Sequence, residues 1–232
     1  SQVWPRVQVS TSRFHSNIVR RMSLRSYLTR SQRSLRPIKQ NVDMSAIKSR
    51  KSSGTTRFPH EEDITMTIWD ISVAISGDLP TYLGDPSFKA RLIQRINQGD
   101  VSDVSLITMS AHIGTHIDAP SHLIQGAKTI DQLSLSTLVG PTVVVEYQGT
   151  RAIDRTFLEN LPEIANIERV LFKTQNSELW DSSTFASHYI GLTTDGARWL
   201  VKNGTKLVGI DYLSIDPPGN QALPVHQELL SN

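Results

Sequence analysis

The run His112-Ile-Gly-Thr-His116-Ile-Asp118-Ala-Pro-Ser-His122 constrains this chain more than any other segment. Three of its seven histidines and one aspartate fall here, at spacings of four, two and four residues. In extended backbone, where side chains alternate between faces, even spacing brings all four polar groups to one face. A helix would seat His112 with His116 but carry Asp118 and His122 well round its surface. Gly114 and Pro120 also oppose a helix. The run is therefore expected as an extended strand, or a strand passing into a loop, that presents four polar groups to one spot.

Imidazole nitrogens with a carboxylate form a ligand set suited to zinc or manganese. A metal held this way lowers the pKa of a bound water towards neutrality. A histidine left outside the ligand set can then move protons. The chain has no cysteine, which excludes a disulfide framework, a thiolate zinc site, an iron–sulfur cluster and a cysteine nucleophile together. Ser105, Ser110 and Ser121 lie near the histidines, but no GxSxG elbow surrounds any of them, which speaks against a Ser–His–Asp triad. No apolar run reaches the roughly 18 residues of a membrane-spanning helix.

With 232 residues and 38% hydrophobic content, the chain suits one domain plus a tail. Its net charge of +2 conceals two unlike parts. Residues 1–60 hold 13 of the 24 Lys+Arg and a single acid, Asp43. The remainder holds 21 of the 22 acids. The basic part is rich in Ser and Arg and too poor in hydrophobics to fold alone. It reads as a disordered extension over residues 1–65, followed by a globular domain over 66–232. A mitochondrial transit peptide and a translated leader before Met66 both suit this composition. A nucleic-acid-binding arm is a third reading, disfavoured beside them, and no nucleic-acid partner is expected. The compartment is then the cytoplasm, or the mitochondrion if residues 1–65 are a transit peptide.

From Met66 onward the pattern is that of a mixed α/β domain. Thr67–Ser76 reads as a strand and Gly77–Pro86 as a loop. Phe88–Asn97 fits a short helix or a strand. Val101–Met109 alternates as a strand would. Thr142–Tyr147, Arg169–Thr174 and Lys206–Tyr212 read as buried strands. Asp154–Leu161 reads as a short helix ended by Pro162. Thr193 or Thr194 should cap a helix through Lys202, with Asn203-Gly204 as its stop. Val225–Leu230 looks like the start of a helix, so the domain is expected to continue past Asn232.

The central run resembles the HxGTHxDxPxH signature of the metal-dependent cyclase family, whose best-known members are the bacterial-type kynurenine formamidases (arylformamidases). Other stretches follow the family in order. They are Trp69-Asp70-Ile71-Ser72, Gly84-Asp85-Pro86 with Phe88, Gly140-Pro141, Gly209-Ile210-Asp211, Leu213-Ser214-Ile215-Asp216 and Pro224-Val225-His226. The likeness runs from Met66 to the end, and bacterial members begin close to the position of Met66. It implies a cyclase-like swivelling β/β/α fold with a mixed sheet and a site for two divalent ions, zinc or manganese. By motif position, His112, His116, Asp118 and His226 would be metal ligands and His122 the catalytic proton shuttle. The family supplies one more ligand, a glutamate further downstream. Glu228 stands too close to His226 to fill that place, which again implies a domain whose C-terminal part lies beyond this sequence.

The implied reaction is hydrolysis of an amide, with N-formyl-L-kynurenine as first substrate. A cyclic amide such as isatin, or a non-catalytic metal- or ligand-binding relative, is the alternative. Formamidases usually carry Trp-Pro before the Gly-Asp of the substrate loop, where this chain has Tyr82-Leu83, and an aromatic where it has Leu123. Trp69, Tyr82, Asp85 and Phe88 are candidates to line the substrate pocket. Asp211 and Asp216 can orient ligands or serve turn chemistry. The partners expected are a small aryl formamide or cyclic amide and further copies of the chain, as homodimer or homotetramer, without a membrane.

Overall fold

The computed structural model describes residues 70–231 and, as backbone, the strand Val7–Ser10. These parts belong to one compact unit. Its frame is a five-stranded sheet. In chain order its strands are β1 (Val7–Ser10), β4 (His116–Asp118), β5 (Val143–Glu146), β6 (Arg169–Lys173) and β7 (Leu207–Ile210). They lie side by side as β4-β1-β7-β6-β5. The pairs from β1 through β7 and β6 to β5 are parallel, and β4 runs antiparallel to β1. A separate two-stranded antiparallel hairpin joins β2 (Lys89–Gln94) and β3 (Val104–Thr108).

The three parallel strands read from the sequence are present, each one or two residues shorter at its ends. Parallel strands covered on both faces carry continuous apolar runs, and all four residues of β7 are buried. Alternate residues serve opposite faces. Val143, Val145, Val170, Phe172, Val208 and Ile210 join the main core, whereas Val144, Leu171 and Leu207 pack with Ile71 and Leu138 on the other side. The cover on the main face is helical. The short helix α1 (Leu135–Leu138), which precedes β5, lies instead on the other side through Leu138. Helix α2 (Arg155–Glu159) starts at Asp154, whose side chain accepts from Phe157 N–H. Thr193 caps α3 (Thr194–Lys202) by accepting from Gly196 N–H, and Asn203-Gly204 ends it, Gly204 at φ 82°. Helix α4 (Pro224–Leu230) places Val225 and Leu229, four residues apart, in the same core.

One sequence expectation changes and two are made more definite. Within the expected strand Thr67–Ser76, residues 67–69 lie outside the described residues and 70–76 form no strand. Val73 N–H is instead taken by Thr115 Oγ1 at 3.0 Å, and its side chain packs beside Leu79 and Ile113. Phe88–Asn97 resolves as a strand, β2, whose pairing with β3 is broken by a register shift between Leu92 and Gln94. The alternation of β3 signals pairing and not burial, because all five of its residues are exposed. One strand has no counterpart in the sequence reading. Val7–Ser10 lies within the basic segment, and β1 is the strand through which β4 joins the sheet.

The loop after β7 is fixed by a close approach. Leu192 N–H donates to Ile215 O at 2.8 Å, while Gly191 O accepts from Ile153 N–H at 2.8 Å. A Cβ on Gly191 would stand 2.6 Å from Pro217 N and 2.7 Å from Ile215 O. These are backbone atoms, which cannot turn aside as a side-chain tip would. Overpacking of this kind costs about 1–3 kcal/mol. Gly191→Ala is therefore expected to lower the melting temperature by roughly 3–10 °C for a chain of this size. A melting temperature equal to that of the parent protein would contradict the close approach.

Candidate metal centre

Four imidazoles surround one carboxylate. Asp118 sits at the end of β4, 3% exposed. His112 Nδ1 stands 2.9 Å from its Oδ1, His116 Nε2 3.8 Å from the same oxygen, and His226 Nε2 3.5 Å from Oδ2. The His122 ring lies 4.4 Å from that of His112 and 6.3 Å from that of His226, centroid to centroid. The ligand atoms of His112, Asp118 and His122 fall within 4.8 Å of one another.

The convergence arises differently from the single extended run. Only His116–Asp118 is strand. His112 lies on a turn, and Gly114 at φ 63° redirects the chain between them. Pro120 then opens a short 3-10 turn over Pro120–His122, which swings His122 back over the site. Even spacing thus describes two of the four groups, and two bends supply the others.

The local contacts set each ring. His116 Nδ1 faces Gly114 O at 3.0 Å, so Nδ1 carries the proton and Nε2 points its lone pair at Asp118. His226 Nδ1 faces Asp216 Oδ2 at 2.5 Å. Ser110 Oγ donates to Asp85 Oδ2 at 2.6 Å and accepts from His112 N–H at 3.1 Å. Ser110 therefore holds the Asp85 carboxylate against the start of the histidine run, a role the sequence reading did not give it.

Burial works against the charge on Asp118, yet the imidazoles of His112 and His226 outweigh it and hold the carboxyl well below its usual range. His112 is raised by the Asp118 carboxylate, against its own burial. His226 is raised because Asp118 and Asp216 together overcome burial. Burial lowers both His116 and His122, which keeps His122 neutral and able to take a proton.

These residues fit a divalent cation. Asp118 Oδ1 is buried without a well-aligned hydrogen bond among the described residues, although His112 Nδ1 stands 2.9 Å away. An orphaned carboxylate oxygen inside a protein costs several kcal/mol unless something satisfies it. His112 Nδ1 and His116 Nε2 both face that oxygen, and the donor set is one that zinc and manganese accept.

The other candidates divide. Trp69 lies outside the described residues. Tyr82 meets Phe185 edge-on at 5.0 Å, in a chain of rings that continues through Tyr189 and Tyr212. Phe88 packs with Leu79, Ile113 and Leu213. Asp211 serves the fold, since its carboxylate accepts from Thr174 N–H, Thr174 Oγ1 and Ser177 Oγ at 2.6–2.8 Å. Asp216 serves the site through His226. Glu228 reaches Arg198 at 3.1 Å.

A buried carboxylate ringed by imidazoles at the edge of a mixed sheet defines the class of this protein: an α/β fold built around a divalent-metal site. Residues 69–217 match the protein-family profile described as "Putative cyclase", and the chain belongs to that family. It is 32% identical over 169 residues to a kynurenine formamidase of Erythrobacter litoralis, covering 71% of this chain and 74% of that protein. It is 38% identical over 158 residues to cyclase-like protein 1 of rice, covering 64% of this chain and 57% of the rice protein. A solved structure described as a potential metal-dependent hydrolase with cyclase activity superimposes with a TM-score of 0.57. That match has 31% identity over 70% of this chain and 76% of the other.

Asp118→Ala removes the oxygens on which the imidazoles converge. Elemental analysis of the purified variant is expected to find the divalent metal gone. Metal retained at the parental level would mean that Asp118 is not a ligand.

Proposed function

We propose that this chain is a metal-dependent hydrolase of non-peptide C–N bonds that converts N-formyl-L-kynurenine and water to L-kynurenine and formate. The observation that carries the reading is the orphaned Oδ1 of Asp118 among converging imidazoles, with His122 beside them and outside the strand. The similarity to the Erythrobacter formamidase supports the substrate. In this reading His112, His116 and Asp118 hold one ion, and Asp118 and His226 contribute to a second. Zinc and manganese both suit these donors.

Bound divalent metal would supply Lewis-acid polarisation of the carbonyl and a hydroxide at neutral pH. The chain's own residues do the rest. His122, kept neutral by burial, takes a proton from the attacking water on its free ring nitrogen. The water oxygen bonds to the formyl carbon. As the C–N bond breaks, the same nitrogen returns the proton to the departing amine. Gly114 O and Asp216 hold His116 and His226 in fixed tautomers throughout. Asp85, steadied by Ser110, and Tyr82, Phe88 and Trp69 form the substrate side. A cyclic amide such as isatin is the second reading, left open by Tyr82-Leu83 where the formamidases usually carry Trp-Pro.

Elemental analysis coupled to an N-formyl-L-kynurenine assay tests both. Bound metal with turnover supports the first reading, and bound metal with turnover of isatin alone supports the second. Absence of metal from wild type overturns the hydrolase. His122→Ala should keep its metal and lose roughly 100- to 10,000-fold in kcat. Parental turnover by that variant would exclude His122 as the shuttle.

The chain self-associates in this reading, as a dimer or tetramer. The β2–β3 hairpin supports it, because an isolated two-stranded hairpin is marginal in water and this one exposes Ile93, Leu106 and Ile107 at 50%, 41% and 58%. Light scattering should report an oligomer for wild type and a smaller species for Ile107→Lys. A monomer in both would refute the assembly. Among the described residues no helix is long and apolar enough to cross a membrane. The composition of residues 1–65 fits a mitochondrial address, with the cytoplasm as the alternative.

A further inference from the structure

Helix α4 lacks a cap of its own. Leu223 precedes it with a left-handed backbone, φ 47°, and no side-chain hydrogen bond. Pro224 follows and has no N–H to offer. The next two N–H groups, of Val225 and His226, would be orphaned at a helix start. Both are satisfied from outside the helix by one side chain. Asp216 Oδ1 accepts from Val225 N–H at 2.9 Å, and Oδ2 from His226 N–H at 3.0 Å. The same Oδ2 faces His226 Nδ1 at 2.5 Å. Asp216 is 1% exposed, so these donors are what makes a buried carboxylate tolerable. Its own position is set independently of His226, by Leu192 N–H on Ile215 O and by the backbone packed against Gly191.

We infer that Asp216 is a positioning residue that fixes both the tautomer and the heading of His226. In the neutral ring Nδ1 carries the proton towards Asp216, and Nε2 is the nitrogen left facing Asp118 Oδ2. One carboxylate thus starts the helix and aims the ring that the helix carries. A histidine whose second nitrogen is engaged by a carboxylate is a better and more sharply oriented ligand. The consequence for metal rests on the proposed hydrolase reading; the orientation itself belongs to the metal-free chain.

Asp216→Asn tests it at constant volume. The amide oxygen can still accept a backbone N–H, but its NH2 donates to Nδ1 and drives the ring proton to Nε2. Nitrogen-15 NMR of the histidine-labelled, metal-free chain at alkaline pH, with the His226→Gln variant assigning the signal, should show protonated Nδ1 in wild type and protonated Nε2 in the variant. Zinc titration should show one site weakened roughly 10- to 100-fold, with the other unchanged. An unaltered tautomer or unaltered zinc affinity overturns the proposal. If wild type binds no zinc, the hydrolase reading fails, and the NMR signal alone decides the role of Asp216. If the Asn variant does not fold, Asp216→Ser takes its place. Serine can accept a backbone N–H but cannot reach Nδ1, so zinc affinity equal to wild type would again overturn the proposal.

Discussion

The structure depends on keeping one carboxylate charged inside the protein. Asp118 is removed from water almost completely, and a bare buried carboxylate would neutralise by taking up a proton. It stays ionised because the imidazoles of His112 and His226 face its two oxygens. The imidazoles around it need a second contact to fix each ring. Gly114 O supplies it for His116 and Asp216 for His226. The site is therefore a set of nested dependencies that lead back to backbone: a glycine turn on one side, and a loop packed against Gly191 on the other.

The sheet brings these sides together. Strand β4 delivers His116 and Asp118, while the chain leaving β7 delivers Asp216 and, ten residues later at the start of α4, His226. Burial of β6 and β7 on both faces anchors the second group firmly. Strand β1 lies between the two groups and is hydrogen-bonded to each. Strand β4 carries His116 and Asp118, turns carry His112 and His122, and α4 carries His226.

Legibility in the sequence followed the physics of each element. Strands β5, β6 and β7 were readable because burial on both faces demands an unbroken apolar run. Helix α3 was readable from its ends, Thr193 and Asn203-Gly204, since caps are local chemistry. The gathering of four polar groups was legible from residue type and spacing in the histidine run, although Gly114 and Pro120 bend it where a straight strand was expected. What failed to show is what depends on distant partners. Residues 70–76 look like a strand, yet Val73 spends its N–H on Thr115. Val7–Ser10 gives no signal within a basic, serine-rich segment, because its pairing is made by strands far along the chain. Asp216 and Asp211 were alike in sequence, and only the fold gives one to His226 and the other to Thr174 and Ser177.

The pairing of β1 with β7 has a consequence for how the molecule forms. Val7 lies opposite Leu207, and Ser10 opposite Ile210. Nearly the whole chain is enclosed by that contact. Closing so long a loop costs about 2 kcal/mol more than closing one an eighth as long, and contacts of such range slow folding. The parallel core can assemble from neighbouring segments, whereas the strand bearing His116 and Asp118 is hydrogen-bonded to β1 and enters the sheet when β1 meets β7. The ligand strand is thus expected to be among the last elements secured.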